Sequence, residues 1–159
     1  MFKCAIIGCG NIAGGYDQSA SIERTVTHAG AYHLCPATEL VAASDSDPDK
    51  LKTFQEKWQV ERGYIDYKEL LEKESIDIVS LCLPTEHHYE AFKTAITCDV
   101  KAIFCEKPLS YDLNEARHML EMSYGRVVAV NYFRRWNLKI AAIAEAIRKD
   151  QEFIVPLIF

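Results

Sequence analysis

The chain has 159 residues, 49% hydrophobic and 26% charged, enough to bury one full core with little left for a second. Its 23 acidic and 18 basic side chains leave a net charge of −5, which argues against nucleic acid or an anionic membrane surface as partners, since both favour a basic face. No apolar stretch reaches membrane-span length, and Met1-Phe2-Lys3 leads into a short strand rather than a signal-peptide core. The expectation is a cytoplasmic protein.

Residues 3–7 read as a buried strand running straight into Gly8-Cys9-Gly10-Asn11-Ile12-Ala13-Gly14. A G-x-G-x-x-A turn in that position suits a pyrophosphate: Gly8 makes the tight turn, Gly10 clears room for phosphates, and Ala13 allows close helix packing. The first crossover is long. Residues 15–21 are polar and read as an insertion, with helix from about Ile22 to His33. A second strand is expected over 39–44. Asp47-Pro48 then opens an amphipathic helix to about Trp58, with Pro48 tolerated in its first turn. An extended piece near Tyr64-Ile65 precedes Asp66, which caps a helix carrying Leu70 and Leu71.

Residues 76–83 are almost continuously apolar, as a central parallel strand covered on both faces should be. A helix over about 86–97 leads to the strand 101–105. Asp112 caps the next helix through Met122, and Gly125 precedes the β-branched strand 127–130. Six strands with helical crossovers over residues 1–133 predict an α/β fold, a doubly wound parallel sheet in the order 3-2-1-4-5-6, the Rossmann architecture for NAD(P). The helix Leu138–Arg148 begins a second unit, 134–159. The apolar tail that follows is an aggregation hazard unless a second copy or a further segment covers it. A chain cut short is therefore expected, with a homo-oligomer edge as the other possibility.

Chemistry concentrates after the strands. Asp45 ends the second strand, where a carboxylate accepts from the 2′-hydroxyl of an adenosine ribose and repels a 2′-phosphate, favouring NAD over NADP. The competing role is capping of the next helix, and both hold together if Asp47 does the capping. Leu83-Pro84-Thr85 ends the central strand and borders the nicotinamide side. His87 and His88 face different ways on a helix, and with no suitably spaced cysteine or carboxylate they make no metal site. Glu106-Lys107-Pro108 follows the fifth strand, where the Lys107 cation can hold a substrate hydroxyl and stabilise a developing alkoxide. The six cysteines, Cys4, Cys9, Cys35, Cys82, Cys98 and Cys105, form no C-x₂₋₄-C pair and read as buried free thiols of a reducing compartment.

Gly8–Ala13, Asp45, Pro84-Thr85-Glu86-His87-His88, Glu106-Lys107-Pro108-Leu109 and Asn131-Tyr132-Phe133-Arg134-Arg135-Trp136 together resemble the glucose–fructose oxidoreductase / inositol dehydrogenase / rhizopine-catabolism family. The resemblance spans essentially the whole chain. It implies a cofactor site of Gly8, Gly10, Asn11, Ile12, Ala13, Asp45, Leu83, Pro84, Thr85, His88, Glu106 and Lys107, with Lys107 catalytic. It also implies a sugar, cyclitol or polyol substrate. Members resemble two-domain proteins of about twice this length, whose second domain carries an acid/base histidine, so the chain alone is expected to be inactive. His28 occupies a family-like helix position and does not replace that histidine. A non-enzymatic NAD-binding sensor is the alternative; a methyltransferase-like nucleoside binder leaves Glu106-Lys107-Pro108 unexplained.

Overall fold

Strict alternation in the first strand sets up two cores. Cys4 and Ile6 face one side of the sheet, Ala5 and Ile7 the other, and all four are fully buried. The computed structural model describes residues 1–17 and 25–149. Its strands are β1 (Phe2–Ile7), β2 (Thr38–Ser44), β3 (Arg62–Tyr64), β4 (Ile78–Leu81), β5 (Ala102–Cys105) and β6 (Val127–Val130). All pairings are parallel, in the order β3-β2-β1-β4-β5-β6. The expected doubly wound sheet is present.

Helices α1 (His28–Leu34) and α2 (Pro48–Trp58) cover one face, burying Ala29, Phe54 and Trp58 against Cys4, Ile6 and Ala43. On the other face α3 (Tyr67–Lys73), α4 (His88–Thr97) and α5 (Leu113–Met122) bring Leu70, Phe92 and Met119 against Ile7, Val79 and Ile103. Three aspartates start helices as expected. Asp47 accepts from the amides of Asp49 (3.0 Å) and Lys50 (3.2 Å), Asp66 from that of Lys68, and Asp112 from those of Asn114 and Glu115. The helix α6 (Leu138–Lys149) follows a short turn and exposes Leu138, Ile140, Ile143 and Ile147. The expectation for the apolar tail falls on 150–159, outside the described residues.

The first crossover departs from the sequence reading. Helix α1 begins at His28, and residues 25–27 just before it are not helical; the rest of that expectation, with the end of the expected insertion, falls on 18–24, outside the described residues. Buried Asp17 accepts from the hydroxyls of Thr25 (2.6 Å) and Thr27 and from the Val26 amide (3.0 Å), drawing residues 25–27 out of helical geometry. Thr27 then caps α1 by accepting from the Gly30 amide at 3.1 Å. Gly30 supplies the room: a Cβ there would run into Thr25 Oγ1 and Asp17 Oδ2. From α2, Lys57 Nζ donates to the carbonyls of Gly14 (2.8 Å) and Asp17.

This knot has an acid signature. Burial raises the Asp17 pKa, but the bonds from Thr25, Thr27 and the Val26 amide together outweigh it and hold the carboxyl below its ordinary value. A carboxyl depressed by folding stabilises the fold above its unfolded value, about 3.9, and that contribution is lost as pH falls through the folded value. We expect Asp17→Asn to lower Tm at neutral pH, with the gap to the parent closing below about pH 4. A gap that stays constant through the acid limb in thermal scans would contradict this.

Candidate functional site

Parallel pairing delivers the carboxyl ends of the strands to one edge, and β1 and β4 lie side by side where the winding reverses, the position at which such sheets bind ligands. Gly8 leaves β1 with φ +91°, and a Cβ on it would sit 2.7 Å from the Cys82 carbonyl oxygen after β4. Only glycine combines that backbone with that approach. At Gly10 a Cβ would meet nothing within 4 Å, so the outer side of the turn is open. A single π-helical turn, Asn11–Gly15, follows, with the Gly14 and Gly15 amides donating to the Gly10 carbonyl (3.2 and 3.3 Å). Ala13 is fully buried against this face of the sheet.

Asp45 stands after β2, half-buried, and binds this turn to its neighbour. One carboxylate oxygen accepts from the Cys9 amide (2.7 Å), the other from the Asp47 amide (2.9 Å). Each oxygen retains a further lone pair. Asp47 does the capping, so Asp45 is free of that role. These features fit NAD: an open glycine turn with first-turn amides to meet phosphates, beside a carboxylate able to accept from ribose hydroxyls.

A crevice of about 650 Å³ opens beside the turn, and Ile12, Leu83, Glu106 and Lys107 line it together. Cys82, Asn131, Tyr16, Thr25, Val26 and Phe133 complete its lining. Gly10 and Asn11 border a separate groove of about 590 Å³ shared with Lys50, Thr53 and Trp58 of α2. Pro84 is exposed and Thr85 half-buried at the start of a 3-10 turn that leads into α4. His88 lies inside. Its Nε2 donates to the Leu83 carbonyl (2.9 Å) and its Nδ1 lies 3.0 Å from the Pro108 carbonyl, so the ring ties the loops after β4 and β5 and does not reach the crevice. His87 is exposed.

Glu106 also turns inward. Its Oε1 accepts from Asn131 Nδ2 (2.6 Å) and lies 3.0 Å from His28 Nε2, while Oε2 accepts from the Lys107 amide (3.2 Å). Burial raises its pKa, but the bonds from His28 and Asn131 and the Lys107 amide outweigh that and hold it below the ordinary value. The Lys107 side chain is exposed at the crevice. The thiols of Cys9, Cys82 and Cys105 are all pushed up, chiefly by burial, Cys105 to about 12, so no reactive thiolate stands here.

Sequence reasoning missed part of this site. Asn131 enters the sequence reading only within the Asn131–Trp136 stretch of the resemblance, although it follows β6 directly and the rule that strand carboxyl ends face the ligand edge places it in the site. His28 drew attention only through resemblance, and nothing in its spacing points toward Glu106. Tyr16 and Val26 carry no signal; the Asp17 bond to the Val26 amide is what brings Val26 to the crevice.

A glycine turn after β1, an acidic residue after β2 and a lysine after β5, gathered on one edge of a 3-2-1-4-5-6 sheet, define a dinucleotide-binding Rossmann domain. Residues 2–132 match the oxidoreductase family with an NAD-binding Rossmann fold. The chain belongs to this family, that of glucose–fructose oxidoreductase, inositol dehydrogenase and the rhizopine-catabolism proteins. It is 34% identical over 112 residues to myo-inositol 2-dehydrogenase of Thermotoga maritima and 33% identical over 115 residues to the uncharacterized oxidoreductase YrbE of Bacillus subtilis. These alignments take in 68% and 69% of the chain, which spans 33% of the length of each relative. Among solved structures, a probable dehydrogenase from Thermotoga maritima superposes with a TM-score of 0.78 at 28% identity, over 92% of this chain and 41% of that one.

Within the described residues no helix is long and apolar enough to cross a membrane.

Proposed function

We propose that the chain is the cofactor-binding part of an NAD-dependent dehydrogenase that oxidises a hydroxyl of a sugar, cyclitol or related polyol. The observation that carries this is the shared crevice: Ile12 of the glycine turn and Lys107 of the Glu-Lys-Pro turn line one cavity. NAD, when bound, supplies the hydride acceptor. The glycine turn would hold its phosphates and Asp45 its adenosine ribose. Leu83, Pro84 and Thr85 would border the nicotinamide, with His88 keeping their loop in place. Lys107 would hold the substrate hydroxyl and stabilise the alkoxide as charge develops on it. The myo-inositol 2-dehydrogenase among the relatives supports the substrate class.

Residues 1–133 are taken as the dinucleotide-binding domain and 134–159 as the start of a substrate and oligomerisation domain, consistent with the exposed isoleucines of α6. Turnover by these 159 residues alone is expected to be negligible, because catalysis needs a substrate held in a reactive orientation and the resemblance places the acid/base histidine in the second domain. The six cysteines are free, though Cys35 is exposed and Cys98 half-buried rather than buried, and free thiols suit the reducing cytoplasm.

Calorimetric titration with both cofactors tests the reading. NAD is expected to bind at least about tenfold more tightly than NADP, a difference of about 1.4 kcal/mol. Equal or reversed preference removes the role given to Asp45, and binding of neither removes the proposal.

A further inference from the structure

A buried polar chain runs beneath the crevice, and the chemistry proposed above does not use it. His28 of α1 is 3% exposed, though histidine on a helix that packs against a sheet face would ordinarily be replaced by an apolar residue. Its Nδ1 lies 2.9 Å from Ser80 Oγ in β4, and Ser80 Oγ lies 2.7 Å from the hydroxyl of Tyr32, one turn further along α1. Its Nε2 lies 3.0 Å from Glu106 Oε1, and its ring rests on Phe104 with centroids 4.6 Å apart. The ring is therefore held at both nitrogens, with Phe104 tilted against it. Such restraint fixes where Nε2 points.

What Nε2 points at is the carboxylate beside Lys107. Asn131 grips the same Oε1 from the end of β6, and the free oxygen takes the Lys107 amide. We infer that His28 is a positioning residue for Lys107, acting through Glu106: the His28–Asn131 grip fixes the Glu106 carboxylate, and the carboxylate fixes the peptide from which the lysine side chain leaves for the crevice. The inference rests on the dehydrogenase reading only for what Lys107 does there; the grip itself is independent of it.

The arrangement explains why glutamate precedes the lysine. An anion at this depth needs donors, and α1, β6 and the following peptide each supply one. The titratable groups around it are His28 from α1, Lys107 in its own turn, and the thiols of Cys82 after β4 and Cys105 in β5. Both thiols are raised first by burial and then by the Glu106 charge itself. Remove His28, and burial of Glu106 is opposed by fewer hydrogen bonds.

The Lys107 amide reports this directly, because its hydrogen bond ends on the Glu106 carboxylate. Its NMR shift, followed against pH in the 159-residue chain, should titrate below the ordinary glutamate value of 4.5 in the parent. In His28→Leu the midpoint should move up, and exchange of the Lys107 amide with solvent should quicken about tenfold or more while amides in β1 stay protected. His28→Gln, which keeps a side-chain N–H, should restore both readouts at least in part. An unchanged midpoint and unchanged exchange in folded His28→Leu would overturn the inference, as would failure of His28→Gln to rescue. Should His28→Leu not fold, Asn131→Ala removes the other grip, and the same midpoint shift is required of it. NAD titration of the parent separates the two readings: absent NAD binding defeats the proposed function and leaves the grip standing, whereas NAD binding with an unmoved midpoint defeats the grip alone.

Discussion

Gly8→Ala is expected to unfold a substantial fraction of the protein's stability and to abolish NAD binding, while Gly10→Ala, two residues on, leaves stability intact and weakens NAD alone. At Gly8 two costs combine. The backbone sits at φ +91°, and the new methyl would lie 2.7 Å from a carbonyl oxygen at the end of the neighbouring central strand. The strained conformation costs roughly 1–2 kcal/mol and the overpacking roughly 1–3 kcal/mol. For a chain of this size that corresponds to a Tm lower by about 5–20 °C. Relief is unavailable, since Cys82 is backbone-bonded to Ile7 and Gly8 to Ser44. Gly10 has ordinary φ of −77° and nothing within 4 Å of a Cβ, so its alanine variant should match the parent within about 0.5 kcal/mol. Its methyl would instead occupy the space left for phosphates. Thermal scans and NAD titrations on both variants decide the matter. A Gly10→Ala protein that binds NAD like the parent would mean that the phosphates lie elsewhere.

Asp45→Ala is expected to weaken NAD by about 10–100-fold and to erase the preference over NADP. The carboxylate has two sets of partners. Within the protein it holds the Cys9 and Asp47 amides, and hydrogen bonds to a charged group contribute about 1.5–3 kcal/mol each. Toward the cofactor it would accept from ribose hydroxyls and repel a 2′-phosphate. Asp45→Asn separates these roles. The amide oxygen still accepts from one of the two backbone N–H groups while its NH2 faces the other, so some stability is lost, and with the negative charge gone NADP should gain on NAD. Discrimination that persists in Asp45→Asn would show that something other than this charge rejects the 2′-phosphate.

Most of the fold was legible along the chain. The strands, the three aspartate caps and the sheet order follow from local facts: apolar runs bounded by turn residues, capping chemistry, and the right-handed crossover rule that leaves few ways to wind alternating strands and helices. Those rules have short reach. The non-helical path of residues 25–27 is hidden from the sequence, because nothing near them in the chain hints that Asp17 claims Thr25, Val26 and Thr27. A buried anion that had to be satisfied sets their path.

The candidate site divides along the same line. The glycine turn, Asp45 and Lys107 belong to the sequence, because each is a residue type at a strand end and parallel pairing sends every strand end to one edge. The inward turn of Glu106, the burial of His88 between two loops and the joining of His28 to Asn131 across 103 positions belong to the tertiary structure. A buried polar group takes whichever partner the packing brings within about 3 Å, and sequence separation carries no record of that choice.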